Sequence, residues 1–177
     1  MLLEKISKSG FVFFMCLILL SDTAFGQEDG NKNAIYDVKA TIIELNNRTL
    51  ECSVRNHKVI VDQPKSFGAD DLGPTPPEML AISCGSCVAS TIQFIAYQRQ
   101  IEVSDIKVIV EGQVAFAKAM GISDASRAGY QILDVKISFQ STLSADEKRE
   151  FINTVMELGA AIDNTANETE INWTLVD

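Results

Sequence analysis

The sequence predicts an α+β fold in the order βββ–α–ββ–α–β, with one long buried helix at its centre. Three observations carry this. Short runs rich in β-branched residues alternate apolar and polar positions before residue 62 and again after residue 102. Between them, Met79 to Tyr97 contains no charged residue. Later, Ser144-Ala-Asp-Glu147 has the spacing of a capping box and opens a second helix.

Composition narrows the function classes. A chain of 177 residues can build one domain with a real core. Its 24 acidic against 15 basic residues give a net charge of -9, with no basic cluster, so nucleic acid is not an expected partner. An acidic surface gives no attraction to anionic lipid either. A single histidine, His57, excludes multi-histidine metal sites, and no cofactor is called for.

The N-terminus has the three regions of an export signal: Lys5 and Lys8, the apolar run Phe11–Leu20, and Ala24-Phe25-Gly26 as a small-residue cleavage site. The apolar run is shorter than the roughly 20 residues of a membrane span, although an uncleaved anchor is the alternative. Residues 1–26 are therefore expected to be a signal peptide, 27–35 a flexible lead-in, and 36–177 a single domain, secreted or periplasmic and free of the membrane after cleavage. Export would remove Cys16 and leave Cys52, Cys84 and Cys87. The compartment tolerates disulfides, but an odd number of thiols leaves at least one unpaired within the chain.

The elements follow in order. Tyr36–Leu45, Arg48–Val54 and Lys58–Val61 read as strands joined by turns at Asn46-Asn47 and Asn56-His57. The second places Leu50, Cys52 and Val54 on one face. Asp62–Pro77 is aperiodic and holds all four prolines, an ordered loop leading to the helix. Pro77 suits a first helical turn, Thr75 or Pro76 the cap, and Glu78 the positive end of the helix dipole. From there small residues (Ala81, Ser83, Gly85, Ser86, Ala89, Ser90) interleave with large apolar ones, which predicts a buried helix approached closely by another backbone such as a second helix. Val103–Val110 is the fourth strand, interrupted or ended at Glu111-Gly112. Ala115–Ala128 is a loop or short helical excursion, and Tyr130–Phe139 the fifth strand. The second helix runs to Met156 or Leu158 with Gly159 as its stop, and Glu170–Val176 closes the chain as a strand.

This order, with GPTPPEMLAISCGSCVAS at its middle and the strand Ile106–Glu111 closing on Gly112, resembles the OsmC/Ohr family. The resemblance implies an intertwined homodimer whose two long helices pack together. It also implies a reactive cysteine on the long helix, which falls on Cys87, with a resolving cysteine near the second helix and an activating Arg–Glu pair. Departures are visible. Alanine and isoleucine occupy Ala160–Ile162, where the resolving cysteine belongs. Pro77 stands where the glutamate belongs, with Glu78 one position off. Arg48 lies in the region of the activating arginine, where a turn arginine is ordinarily a solvated surface residue.

The thiols are open to several readings. Cys84 and Cys87 have CxxC spacing and share a helix face with Cβ atoms about 5–6 Å apart. A disulfide wants about 3.5–4.5 Å, so bridging them needs local distortion, which Gly85 permits. Cys84 alone also fits a small buried hydrophobe, and Cys52 fits core packing. His57 fits an exposed turn. The first function expected is thiol-dependent reduction of a small hydroperoxide through Cys87 in oxidative-stress defence, with Cys84 or an external thiol reductant completing the cycle. The second, from a different class, is a non-catalytic dimer holding a small apolar ligand in its interface pocket. A general disulfide exchanger is a third.

Overall fold

The computed structural model describes residues 35–176. The predicted signal segment, its cleavage site after Gly26, Cys16 and most of the lead-in lie outside the described residues. From Val38 onward the chain forms one compact unit.

Tight turns make the opening meander. Asn47 (φ 41°) and Arg48 (φ 71°) join β1 (Ala40–Asn46) to β2 (Thr49–Val54), and Arg55 (φ 54°) helps join β2 to β3 (His57–Val61). Positive φ in a two-residue turn matches the right-handed twist of the flanking strands. The register sets Ile42 opposite Cys52 and Cys52 opposite Val59. Ile42, Leu50, Cys52, Val54, Val59 and Val61 therefore share one face of an antiparallel three-stranded sheet. β1 is exposed along its whole length.

The proline-rich loop is ordered by Asp62. Its backbone N–H donates to Pro74 O at 3.1 Å, and its Oδ2 accepts from Leu72 N–H at 2.9 Å. Gly73 is required there, because a Cβ would stand 2.3 Å from Ile60 O. Within the loop lies one 3-10 turn, Lys65–Phe67.

The central helix, α1 (Pro76–Gln98), starts as expected. Thr75 is its N-cap and forms a reciprocal capping box with Glu78. Cys84, Val88, Ile92, Ile95 and Ala96 form its buried face. Its other face carries exposed Leu80, Ile82, Phe94 and Tyr97.

A second antiparallel sheet packs on α1: β4 (Val103–Ala115) and β5 (Gly129–Ser141), joined through the short α2 (Phe116–Ala119). The strand expected to stop at Gly112 continues through it. Gly112 marks close approach rather than an end, since a Cβ there would stand 2.7 Å from Ile132 O of β5. α3 (Ala145–Leu158) begins in the expected Ser144–Glu147 capping box. Its Phe151 and Val155 complete a core with Val88, Ile92, Ile95 and Ala96, and Phe139 stacks on Phe151 at 5.8 Å between ring centroids.

Two expectations need correction. Gly159 ends α3 but does not stop the helical path; a further helix, α4 (Ala160–Ala166), follows at once. Glu170–Val176 does not form a strand. Its residues are exposed, Trp173 by 86%, and alternation alone makes no strand without a neighbour to complete the ladder.

Candidate functional site

α1 presents both of its cysteines to the first turns of α4. Gly159, the N-cap of α4, has no side chain to satisfy the free N–H groups of that helix end. The Cys87 sulfur does this instead, accepting from Ala161 N–H at 3.4 Å. Cys87 is half-buried, and Cys84, one turn earlier, is completely buried. Cys84 Sγ lies 3.3 Å from Thr165 Oγ1 and 3.9 Å from Ala161 O. Thr165 donates its only hydroxyl hydrogen to Ala161 O at 2.7 Å. Its oxygen is left as an acceptor, so Cys84 is the donor in the pair. The two thiols thus face opposite hydrogen-bonding environments: Cys87 sulfur accepts, and Cys84 sulfur donates. The nucleophilic form of a cysteine is the thiolate, which can only accept. Cys87 therefore has the environment a nucleophile uses, and Cys84 the environment of a held thiol.

The cysteines are unbridged, and Cys52 lies away on β2, in the other sheet. His57 is exposed at the start of β3. Among the described residues, no cluster of three or more metal-ligating side chains is present.

Glu78 and Arg48 have structural partners. The Glu78 carboxylate accepts from Thr75 N–H at 2.7 Å and Thr75 Oγ1–H at 2.9 Å, which is the capping box itself. The Arg48 guanidinium donates to Phe67 O and braces the proline-rich loop against the β1–β2 turn. Within the chain, neither is hydrogen-bonded to a cysteine. Ala161 is the middle residue of Ala160–Ile162, the stretch where the resemblance places the resolving cysteine, and its backbone touches both thiols.

Two further residues were not legible in the sequence. Tyr130, at the start of β5, donates its hydroxyl to Pro77 O at 2.9 Å. Burial pushes its phenol up, with the Glu78 carboxylate and Cys84 adding to the shift. Thr165 belongs to a helix the sequence did not announce. Both line a cleft of about 310 Å³ whose apolar walls are Pro76, Pro77, Leu80, Ile132 and Leu133. A separate groove of about 410 Å³ runs along the outer face of α1, between Ala81, Ile82, Gly85, Ser86 and Ala89 and the β4 residues Val108 and Val110. Gly85 permits this closeness, since a Cβ there would stand 3.1 Å from Val110 Cγ2. Its close neighbour within the chain is thus the strand β4.

The OsmC-like protein family model matches residues 68–175, well over half of the chain, and spans both cysteines of α1, both helices that close on them, and the second sheet. The chain belongs to the OsmC-like family. Solved structures agree at the level of fold. An OsmC-like protein from Mycoplasma pneumoniae superposes with a TM-score of 0.61 at 19% identity, covering 76% of this chain and 89% of that one. An organic hydroperoxide resistance protein from Legionella pneumophila gives 0.53 at 17% identity, covering 74% and 90%. One from Elizabethkingia anophelis gives 0.54 at 16% identity, covering 75% and 89%. No curated protein matches the sequence.

Proposed function

We propose that this OsmC-like protein is an exported, homodimeric thiol protein that reduces organic hydroperoxides through Cys87. One observation carries the chemistry: the half-buried sulfur of Cys87, on the central helix and in the position that the family resemblance marks as reactive, accepts the Ala161 backbone N–H of α4. The Cys87 thiolate attacks the distal oxygen of the hydroperoxide, the O–O bond breaks, and the alkoxide leaves as the alcohol after taking up a proton. Cys87 becomes a sulfenic acid. A second thiol, from Cys84 or a small-molecule or protein dithiol, then attacks the sulfenic sulfur and displaces its hydroxyl as water, and a thiol reductant restores the dithiol state. The names of the Legionella and Elizabethkingia structures support hydroperoxides as the substrate class.

The homodimer is supported by two uncovered apolar surfaces in one chain. The outer face of α1 exposes Ile82 by 53% and Phe94 by 60%, and the first sheet exposes Ile42 by 56%. Large apolar side chains left exposed on a helix face and on a sheet face are what a partner chain would cover. Export follows from the signal pattern of residues 1–26.

A second reading is favoured by a specific observation. Glu78 is held in the helix cap and Ala160–Ile162, where a resolving cysteine belongs, holds none, so the chain lacks the family's peroxidase constellation in its usual form. In that reading the groove along α1 holds a small apolar ligand in a non-catalytic dimer. Stopped-flow mixing of the reduced protein with cumene hydroperoxide separates the two. Rapid consumption, abolished in Cys87→Ser, supports the peroxidase. Consumption absent from the wild type, or unchanged in Cys87→Ser, removes it. Serine keeps an oxygen to accept Ala161 N–H, so the variant preserves the contact while losing the thiolate.

A further inference from the structure

Cys84 is placed where it can serve the thiol chemistry only if something keeps it from reacting first. We propose that Thr165 is a positioning residue that holds Cys84 as a masked, hydrogen-bonded thiol and leaves the first reaction with an electrophile to Cys87. The inference rests on the thiol reading of the preceding section.

Three features converge on Thr165. Its hydroxyl hydrogen is committed to Ala161 O at 2.7 Å, which turns its oxygen toward the role of acceptor for Cys84 S–H at 3.3 Å. The same side chain is part of the wall of the cleft formed by Pro77, Leu80, Tyr130 and Leu133, while Cys84 has no exposed surface. Thr165 therefore stands between the cleft and the Cys84 sulfur. Finally, the arrangement spans one helical turn on each helix, so both thiols contact the same residue, Ala161, from opposite sides of its peptide chemistry: Cys87 at the N–H and Cys84 at the C=O. A molecule entering the cleft meets Thr165 before it meets Cys84. Cys87, which is half-buried where Cys84 is fully buried and whose sulfur accepts rather than donates, reacts first.

The threonine acts by two separable means. Its bulk closes the wall, and its hydroxyl oxygen gives the Cys84 hydrogen an acceptor at 3.3 Å, nearer than Ala161 O at 3.9 Å. Thr165→Ala removes both, Thr165→Val removes the acceptor and keeps the shape, and Thr165→Ser keeps the acceptor.

Thiol alkylation of the reduced full-length protein with N-ethylmaleimide, followed by peptide mass spectrometry over time, tests this without any peroxidase assay. In the wild type, Cys87 should be modified well before Cys84. In Thr165→Ala, Cys84 modification should accelerate about tenfold or more, beyond what local opening of α4 gives the wild type. Thr165→Ser should restore slow modification of Cys84, which a merely structural role for the threonine would not predict if Thr165→Ala and Thr165→Ser have equal melting temperatures. Thr165→Val should fall between them. Cys84 modification unchanged in both Thr165→Ala and Thr165→Val overturns the proposal, as does Cys84 reacting ahead of Cys87 in the wild type. Absence of hydroperoxide turnover would remove the proposed reaction while leaving the order of alkylation to stand or fall by itself.

Discussion

The two sheets of this chain differ in what covers them. β4 and β5 are backed by α1 and α3, and Val108, Val135, Ile137 and Phe139 pack against a core closed by Phe151 and Val155. β1–β3 also carry a largely apolar face, yet β1 is exposed throughout and none of the described helices packs on it. The same contrast recurs on α1, whose inner face is buried to Cys84 and Val88 while its outer face shows Ile82 and Phe94. One half of the molecule is finished within the chain. The other half has the patterning of a core without its second layer, and a sheet with one apolar face is stable only when that face is covered.

The sharpest way to break this comparison is to remove one core residue from each half. Phe151→Ala should lower the unfolding free energy by about 3–5 kcal/mol at every protein concentration, because its ring is buried against Phe139. Ile42→Ala should cost no more than about 0.5 kcal/mol if its face meets only water, and more if a second copy covers it. Chemical denaturation at two protein concentrations reads both. A large, concentration-dependent cost for Ile42→Ala places the partner on the first sheet; equal, concentration-independent costs would erase the difference between the halves.

A charge on the outer face of α1 is the next test. Ile82→Glu should weaken the proposed dimer by about 1–3 kcal/mol, or roughly fivefold to 150-fold in its dissociation constant, and leave the inner core intact. Sedimentation velocity measures the shift. A protein that is monomeric in the wild type, or a dimer untouched by the substitution, would contradict the assignment of that face.

Asp62 supplies the smallest effect, in the loop that ties the first sheet to α1. Its carboxyl is held below the usual carboxylate range, chiefly by the Leu72 N–H, with burial opposing and the nearby Gln63 and Asp70 backbone and Thr49 hydroxyl assisting. A folded-state value lowered in this way contributes stability that is fully present above about pH 4, the ordinary aspartate value, and is lost as the pH falls through the lower folded value. The melting temperature of the wild type should therefore exceed that of Asp62→Asn at pH 7, and the gap should close on acidification below pH 4. A gap that stays constant to pH 3 would mean that the ionised carboxylate contributes nothing to the loop.

Much of the finished half could be read from residues alone. The Ser144–Glu147 capping box stands where its spacing puts it, because it is a contact between residues three apart, and Thr75, one of the two cap positions expected for α1, is its N-cap. The uncharged helix and both cysteines were equally visible. Long-range contacts were not. Nothing local ties Ala161 to Cys87 across 74 positions, or Thr165 to Cys84 across 81. α4 was hidden because Gly159 looks like a stop, and glycine at a helix end serves equally as the N-cap of the next. Glu170–Val176 was overread for the opposite reason: Ile171, Trp173 and Leu175 alternate as a strand does, but a strand needs a neighbour, and among the described residues this segment has none. The errors fall where structure depends on what lies far away in the sequence or beyond the single chain.

The central claim is that Cys87 is the thiol that meets the hydroperoxide. It is tested most directly by treating the reduced protein with one equivalent of cumene hydroperoxide in the presence of dimedone and locating the adduct by mass spectrometry. Dimedone captures a sulfenic acid before a second thiol can. The adduct should form on Cys87, accumulate further in Cys84→Ser, and vanish in Cys87→Ser. An adduct on Cys84 or Cys52 that persists in Cys87→Ser, or none on Cys87 in Cys84→Ser, would contradict the account.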